Sequence, residues 1–484
     1  MGKVPLPMTG GFYVSRSLPI SAQLCSNLYV HVNEGGGLSE EALYGTPGAV
    51  MLATSGPDLQ INRGSHVMNG IAYYVNGTTL YRLTQAISDT GVETFTMDNI
   101  GAIGGTGRVS MADNGTQLCI LIPGGNGFIW VESTSTFTQI TDGDFDANGD
   151  PQHVIYIDGY FLFTTDTKKF IVSALNNGLA YDALDFGSAE ADPDTIVAPM
   201  VHNNVLYIFG SETFEAFRNQ GGSGFPFSRI SGAVTSLGLS SPFSLVLSTG
   251  VFGFIGAGEN EEPSIYTYNG SKVALISTDA IDDLLGHLTE AQLADVFGWS
   301  YSQSGDRFMG FTLPDTTIVY DMKSQKWHER KSFDIIDGVA SEFRWRANSV
   351  VKAYNRILIG DNQDGRVGEI DLDYYDEYGQ NIIAEFATKP FSNMSQRLLV
   401  PSIELTLEAG VGNVDDTDPV ISMSRSTDGK TWTPRRERRL GKLGEYGKRA
   451  IWRRNGRAAS YEVFRWSISS KVKKVFIKLE ADIV

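Results

Sequence analysis

Short runs of apolar and aromatic residues, separated by tight turns, recur along most of this 484-residue chain. Residues 67–83 read VMNGIAYYVNGTTLYRL, in which Asn69-Gly70 and Asn76-Gly77 separate such runs. An Asn-Gly pair accepts positive φ at both central positions of a two-residue turn, and that turn matches the twist of paired strands. The chain is therefore predicted to consist mainly of β-hairpins.

Similar turns follow at intervals of roughly 40–55 residues, without a rigid motif in each unit. They include Asp113-Asn114-Gly115, Asp158-Gly159, Asn203-Asn204, Asn269-Gly270, Ser304-Gly305-Asp306 and the stretch 361–365. Radial repetition of four-stranded sheets has this period and this richness in turns. We therefore predict an all-β fold with a β-propeller body over residues 51–390, with room for six blades of ~45 residues. A large pair of β-sandwiches is the alternative, because irregular repeats do not determine the number of blades.

Two other regions flank or interrupt this body. Residues 1–50 are predicted to be an extended segment that joins it. Residues 278–297 carry an approximate helical apolar face and are predicted to form a helical insertion. After Pro390 the pattern changes to alternating strands such as YEVFRWS and KVFIKLEA, which predict a separate C-terminal β-sandwich over residues 391–484.

Charge is divided unevenly between these regions. The whole chain has 39 Lys and Arg against 56 Asp and Glu, a net charge of −17. Residues 396–484 have 18 against 11, a balance of +7, which leaves 21 against 45, or −24, for residues 1–395. An acidic surface repels phosphate and argues against a nucleic-acid clamp, whereas a basic module in an acidic protein indicates a surface for partners.

The densest basic stretch, residues 430–474, holds 15 basic and three acidic residues. Its side chains are predicted to make ionic contacts with neighbouring subunits. The interface candidates are Arg435, Arg436, Arg438, Arg439, Trp452, Arg453 and Arg454. Trp452 is either an interface anchor or a core residue of the sandwich, since both environments favour tryptophan.

The sequence contains no set of residues that predicts catalysis or a cofactor. The six histidines are scattered, and no G-x-S-x-G, H-E-x-x-H or Walker pattern is present. The glycine-rich stretch GAIGGTG at 101–107 precedes a predicted strand and is interpreted as a turn, because a phosphate loop leads into a helix.

Two further motifs were compared with known sites: DFDANGD at 144–150 with a calcium loop, and STDGKTW at 426–432 with a motif of sialidases. Asp144, Asp146 and Asn148 in DFDANGD match the first half of a calcium loop, but Ile155 stands where the loop needs glutamate. A surface turn is the alternative to a weak calcium site. STDGKTW at 426–432 is one residue shorter than the sialidase Asp-box, which is itself a turn.

Several short stretches, in order along nearly the whole chain, resemble one family. They are NLYV (27–30), YGTPG (44–48), GTGRVSMA (105–112), FGSETFE (209–215), STDGKTW (426–432), GEY (444–446), RAIWRRNGR (449–457) and VFR (463–465). In these stretches the chain resembles the tail accessory factors of short-tailed bacteriophages, known as packaged-DNA stabilisation proteins. That family is related in role to tail hub and nozzle proteins.

The resemblance implies a non-enzymatic virion protein of the phage tail, made in the host cytoplasm and needing no cofactor. Such proteins form a ring, usually a hexamer, below the portal and its adaptor or connector. The ring retains packaged double-stranded DNA and passes it out during ejection. A tail needle or plug would close it, fibres or spikes would attach nearby, and no membrane insertion is expected. A propeller-type glycosidase or depolymerase, or a carbohydrate-binding adhesin, is the alternative function.

Overall fold

The computed structural model describes residues 3–56, 60–189, 194–222, 224–336, 338–392 and 397–484. Its N-terminal part forms seven strands. They are β1 (Val4–Leu6), β2 (Tyr13–Val14), β3 (Ala22–Gln23), β4 (Cys25–Ser26), β5 (Leu28–Val32), β6 (Glu41–Gly45) and β7 (Gly48–Thr54).

Blades one to three of a β-propeller follow, each an antiparallel sheet of four consecutive strands. Blade one contains β8 (Asn62–Met68), β9 (Ile71–Asn76), β10 (Thr79–Ile87) and β11 (Glu93–Ala102). Blade two contains β12 (Ser110–Asp113), β13 (Gln117–Leu121), β14 (Gly127–Val131) and β15 (Thr136–Gln139), with a 3-10 turn at Glu132–Thr134. Blade three contains β16 (Pro151–Ile157), β17 (Tyr160–Thr165), β18 (Lys169–Ala174) and β19 (Asn177–Ser188).

Blades four to six continue the pattern, with two helices between the last two. Blade four contains β20 (Ile196–His202), β21 (Val205–Gly210), β22 (Phe214–Asn219) and β23 (Phe227–Thr235). Blade five contains β24 (Val246–Ser248), β25 (Val251–Gly256), β26 (Ser264–Tyr268) and β27 (Val273–Leu275), followed by α1 (Asp279–Gly286) and α2 (Glu290–Ala294). Blade six contains β28 (Phe297–Gln303), β29 (Asp306–Thr312), β30 (Thr317–Asp321) and β31 (Lys326–Ile336), with β32 (Val339–Arg344) paired to β31.

Blade seven is assembled from both ends of the propeller. Its strands are β33 (Ala347–Ala353), β34 (Arg356–Asp361), β35 (Arg366–Asp371) and the N-terminal β7. Strand β7 pairs antiparallel with β35, placing Ala49 opposite Ile370 and Ala53 opposite Val367. The pairing closes the circle of blades, because β33 also packs beside β8 and β28.

A left-handed two-residue turn joins the first and second strands in six of the blades. The pairs with positive φ at both residues are Asn69-Gly70, Asp158-Gly159, Asn203-Asn204, Thr249-Gly250, Ser304-Gly305 and Tyr354-Asn355. These turns recur at the same place in those six blades and give the hairpins the twist that neighbouring blades share.

The remaining strands belong to the C-terminal domain and the link before it. They are β36 (Asp376–Glu377), β37 (Gln380–Asn381), β38 (Ala384–Ala387), β39 (Phe391–Ser392), β40 (Leu398–Leu399), β41 (Ser402–Leu407), β42 (Val420–Ser426), β43 (Arg436–Arg439), β44 (Ala450–Arg453), β45 (Arg457–Ala458), β46 (Tyr461–Ile468) and β47 (Val475–Asp482). One layer has the order β44-β41-β47-β6-β5, with β1 added to β47, and the other contains β4-β38-β46-β42-β43. Between the layers pack large apolar side chains, including Phe386, Trp452, Phe464, Trp466 and Phe476.

The predicted fold class, an all-β chain with a propeller body and a C-terminal β-sandwich, is confirmed. The predicted six blades are one too few, since seven blades of four strands form the circle in the described part of the chain. Blade seven is not a complete repeat in the sequence, because its fourth strand, β7, lies before the first blade.

The sequence predicted that residues 1–50 only form an extended segment joining the propeller. In the structure this segment contributes strands to both domains. Strands β1, β4, β5 and β6 are part of the sandwich, and β7 completes blade seven. Strand β38 also pairs with β46. The C-terminal sandwich therefore begins before residue 391, which is the boundary predicted from the sequence. Strand β4 lies between β31 and β38, which makes the sheet of blade six continuous with a sandwich layer.

Closure of blade seven gives a testable consequence at Gly48. A Cβ atom there would lie 2.5 Å from the Tyr374 carbonyl oxygen and 2.3 Å from that of Asp376. Gly48→Ala should therefore push β7 away and lower the free energy of unfolding by about 1–3 kcal/mol, the usual effect of overpacking. Urea unfolding followed by tryptophan fluorescence measures the change. Gly143→Ala is the control, because nothing lies within 4 Å of that Cβ; equal stability of the two variants would contradict this account of closure.

Candidate assembly surfaces

Along β43 and the residue before it, arginines that bond within the domain alternate with arginines that are exposed. Arg436 donates to the Asn455 side-chain oxygen at 2.9 Å and to the Arg453 carbonyl at 2.5 Å. Arg438 donates to the Ile451 carbonyl at 2.6 Å. These two guanidiniums therefore attach β43 to the neighbouring β44 segment, and their hydrogen-bonding capacity is partly used within the domain.

Arg435 and Arg439 point the other way and are largely exposed. Arg435 lies 3.6 Å from a carboxylate oxygen of Glu385, and Arg439 pairs with Asp418. Surface ion pairs of this kind are weak and readily exchanged for other partners. Both side chains remain accessible to another molecule.

Trp452 does not lie on the surface. Its side chain is fully buried, it packs edge-on against Trp466, and its Nε1 donates to the Arg436 carbonyl at 2.7 Å. The prediction that Trp452 is an interface anchor is wrong, and the alternative, a core residue of the sandwich, is correct. The sequence does not show whether a tryptophan flanked by arginines is buried or exposed. Successive side chains of a strand point to opposite faces, so the tryptophan can lie in the core while its neighbours lie in solvent.

Arg453 and Arg454 follow this tryptophan and are exposed, as is Arg457. None of the three forms a side-chain ion pair with the residues that the structure describes. We name them the free arginine triplet. Arg457 was not among the predicted interface residues, although it belongs to the same basic stretch.

The same domain exposes an apolar tip, which the sequence analysis did not single out. Val414, Leu443 and Tyr446 are 93%, 77% and 74% exposed. They lie on two loops that are bonded to each other through the Gly410 amide and the Leu440 carbonyl at 2.9 Å. Exposed large apolar and aromatic side chains favour contact with another protein. The signal in the sequence is a leucine and a tyrosine between glycines and lysines in KLGEYGK.

A carboxylate inside the basic domain binds the N-terminus to it. Glu404 on β41 accepts two hydrogen bonds from Arg449, at 2.6 and 2.8 Å, and pairs with Lys3 just before β1. The hydrogen bonds from Arg449, followed by those from Lys3 and the charge of both, lower the pKa of Glu404 to about 2. The ionised carboxylate therefore helps to hold β1 against the sandwich.

The axis of the propeller is occupied by side chains. Phe243 packs against His153 of blade three with ring centroids 4.8 Å apart, and Phe243 pairs through its backbone with Phe297 of blade six. The Arg108 guanidinium lies 3.6 Å from the centre of the Phe297 ring. Groups from blades three and six therefore meet through Phe243.

The predicted calcium loop does not bring its ligands together. Asn148 is buried and accepts a hydrogen bond from the Lys169 ammonium at 2.9 Å, while Asp144 and Asp146 are exposed. A lysine thus takes the position that a cation would need. No group of three or more metal-ligating side chains occurs among the described residues. The alternative interpretation, a surface turn, fits the structure.

Two other motifs are turns. The Asp428 carboxylate accepts from the amides of Lys430 and Thr431 at 2.8 and 2.7 Å, and these bonds keep the pKa of Asp428 well below its usual value. In the glycine-rich stretch, the carbonyls of Gly104 and Gly107 accept from the Arg63 guanidinium at 2.8 and 2.5 Å. The carbonyl groups of that loop therefore face a cation.

No helix in the described ranges is long and apolar enough to cross a lipid bilayer. The described residues form a propeller and a sandwich, and the sandwich carries the free arginine triplet and the apolar tip.

A comparison with family models gives the identity of both domains. Residues 3–375 match the model described as bacteriophage P22 Gp10, beta-propeller, and residues 383–484 match bacteriophage P22 Gp10, beta-sandwich. The chain belongs to this family of phage structural proteins.

Comparison with curated proteins found no match. Similar solved structures include the computationally designed Ika8 protein, with 11% identity over 66% of this chain and 99% of that chain and a TM-score of 0.36. The WD40 beta propeller domain of Doa1 has 12% identity over 67% and 97%, with a TM-score of 0.38. A chain of the Mitotic Checkpoint Complex has 9% identity over 70% and 96%, with a TM-score of 0.39.

The Glu404 contacts predict a pH dependence. The folded-state pKa lies below the usual value of 4.5, so the ionised carboxylate contributes its full stabilisation above about pH 4.5 and loses it as the pH falls towards 2. Glu404→Gln should therefore destabilise the protein at neutral pH, and the difference from wild type should shrink below pH 4.5. Unfolding measured at a series of pH values tests this. Glu408→Gln is the control, since Glu408 is exposed and its ion pair is with the exposed Lys473; a difference that did not change with pH would refute the role of Glu404.

Proposed function

We propose that this chain forms a ring in a short phage tail, below the portal and its adaptor, where the ring retains packaged DNA and conducts it during ejection. The observation that carries the proposal is the match of both domains, over nearly the full chain, to one phage protein family. The distribution of charge and the accessible groups of the sandwich support the finer points.

The acidic body suits a DNA conduit. Residues 1–395 carry a balance of −24, and a hexamer of the whole chain would carry six times −17, or −102. A passage lined by part of this charge repels phosphate, so that the DNA slides and does not adhere. Tight binding would oppose ejection, and a wall of the same sign as DNA avoids it.

The passage would run between copies of the chain and not through one propeller. Phe243, His153 and Phe297 meet near the propeller axis, whereas a DNA duplex needs an opening of roughly 20 Å, as the groove dimensions of B-DNA require. A ring of several copies can enclose such an opening. In this arrangement the propellers of neighbouring copies would form the wall of the DNA passage.

The sandwich would provide the contacts that assemble the ring and dock it. The free arginine triplet, Arg435 and Arg439 offer positive charge, and the apolar tip offers Leu443 and Tyr446. An acidic surface of a neighbouring copy, or of the portal adaptor, complements these groups. A needle or plug and the fibres or spikes would attach elsewhere on the assembled ring.

Charge reversal of the free arginine triplet tests this proposal. Arg453→Glu, Arg454→Glu and Arg457→Glu together should prevent ring formation or docking, because attraction becomes repulsion at an acidic neighbour. Native mass spectrometry and electron microscopy of the purified chain, alone and with the portal complex, measure the outcome. Wild type should give a ring, and the triple variant should remain dissociated or undocked.

The control makes the same change of charge on the propeller. Arg218, Lys272 and Arg307 are exposed and form no ion pair with the described residues, so their replacement by glutamate should leave assembly intact. If the sandwich variant assembled as wild type does, the assignment of the docking surface would fail. If wild type stayed a monomer indifferent to the portal complex, the ring itself would be contradicted.

A further inference from the structure

A cavity of about 530 Å³ lies beside the propeller axis, between blades one, six and seven and the loop that precedes blade two. Arg108 and Arg344 both line it, as do Ile61, Leu313 and Pro314. Pockets of this size and mixed lining commonly hold small molecules. An adjoining cavity of about 320 Å³ follows the axis, and Arg108 and Phe297 lie on the boundary between the two.

The two arginines converge on the same groups. The Arg108 guanidinium stacks 3.6 Å from the centre of the Phe297 ring, and that of Arg344 lies 5.8 Å from it. Arg108 donates to the Asn348 carbonyl at 2.7 Å, and Arg344 donates to the side-chain oxygen of Asn348 at 2.8 Å. Phe297 and Asn348 therefore hold the pair in a fixed arrangement.

These two guanidiniums have no directly paired carboxylate among the described residues. Neither Arg108 nor Arg344 forms an ion pair with the described residues, and most of their N–H groups have no acceptor there. Burial, and then the positive charge of Arg344, lower the pKa of Arg108 to about 9. Two like charges held together in a partly buried site are unfavourable unless an anion joins them.

We propose that Arg108 and Arg344 bind a small organic oxyanion, with its carboxylate or phosphate group against the two guanidiniums and its apolar part against Ile61, Leu313 and Pro314. Guanidinium groups recognise both oxyanions through paired hydrogen bonds. Asp295 is the one carboxylate among the described lining residues, and its charge opposes the bound anion. The site is separate from the assembly surfaces of the sandwich.

Isothermal titration of the full chain with inorganic phosphate, phenyl phosphate and benzoate tests the site. Saturable binding with one ligand per chain is expected, with phenyl phosphate tighter than inorganic phosphate because of the apolar wall. Binding of benzoate without phenyl phosphate would assign a carboxylate ligand, and the reverse a phosphate. Absence of saturable binding by all three at millimolar concentration would overturn the proposal.

Variants distinguish this site from general attraction of anions. Arg108→Gln and Arg344→Gln should each weaken binding about tenfold to hundredfold, the loss expected for hydrogen bonds to a charged group. Arg307→Gln, at an exposed position on β29 of blade six, is the control and should not change the affinity.

Asp295→Asn provides a test that misfolding cannot mimic. Removal of this opposing charge should tighten binding several-fold, because Asp295 lies near enough to Arg108 to act on its charge. An unchanged or weaker affinity in Asp295→Asn, or an equal loss in Arg307→Gln, would overturn the assignment.

Discussion

The pairing of β7 with β35 is the contact on which both domains depend. A propeller is stable only when its last blade packs on its first, and here the chain needs residues 48–54 to complete that last blade. The same N-terminal segment has already contributed β4, β5 and β6 to the sandwich. Closure of the propeller and completion of the sandwich are therefore coupled through one stretch of about fifty residues. Gly48 is the first residue of β7 and follows the strands that belong to the sandwich. Carbonyl groups lie so close to its Cα that a side chain would not fit there.

Much of the architecture could be predicted from turn chemistry. Asn69-Gly70, Asp158-Gly159 and Asn203-Asn204 mark the same turn in blades one, three and four, since positive φ at two residues in a row favours glycine and asparagine. Thr249-Gly250 and Tyr354-Asn355 occupy equivalent turns but are weaker signals. The number of blades could not be obtained by dividing length by period, because the closing strand lies outside the repeat. Strand order across a circle depends on contacts between distant residues, which local patterns do not contain.

The candidate surface was predictable as a region but not residue by residue. A cluster of arginines in an acidic chain indicates a surface for partners, yet two of the four arginines at 435–439 donate to backbone carbonyls and Arg439 has an acidic neighbour. Trp452 shows why: alternation on β44 places it in the core and its neighbour Arg453 outside. The register of a single strand determines which of these residues are buried. Because basic residues stand on both sides of Trp452, the sequence pattern does not reveal that register. The apolar tip was missed because its residues come from two loops that meet only in the folded domain.

Unpaired cations are informative in this protein because carboxylates are abundant. With 56 acidic residues against 39 basic ones, an arginine without an acidic neighbour is not explained by a shortage of partners. Two of the places where the described part of the chain has such arginines are the outside of the sandwich and the cavity beside Phe297. The exposed set is solvated and costs little to leave free, so it suits exchange between partners. The pair of Arg108 and Arg344 is partly buried, where like charges raise the energy of the empty site, and an anion there would stabilise the junction between blades one, six and seven. Under the two proposals, the two sets would bind two kinds of ligand: a large acidic surface outside and a small anion within.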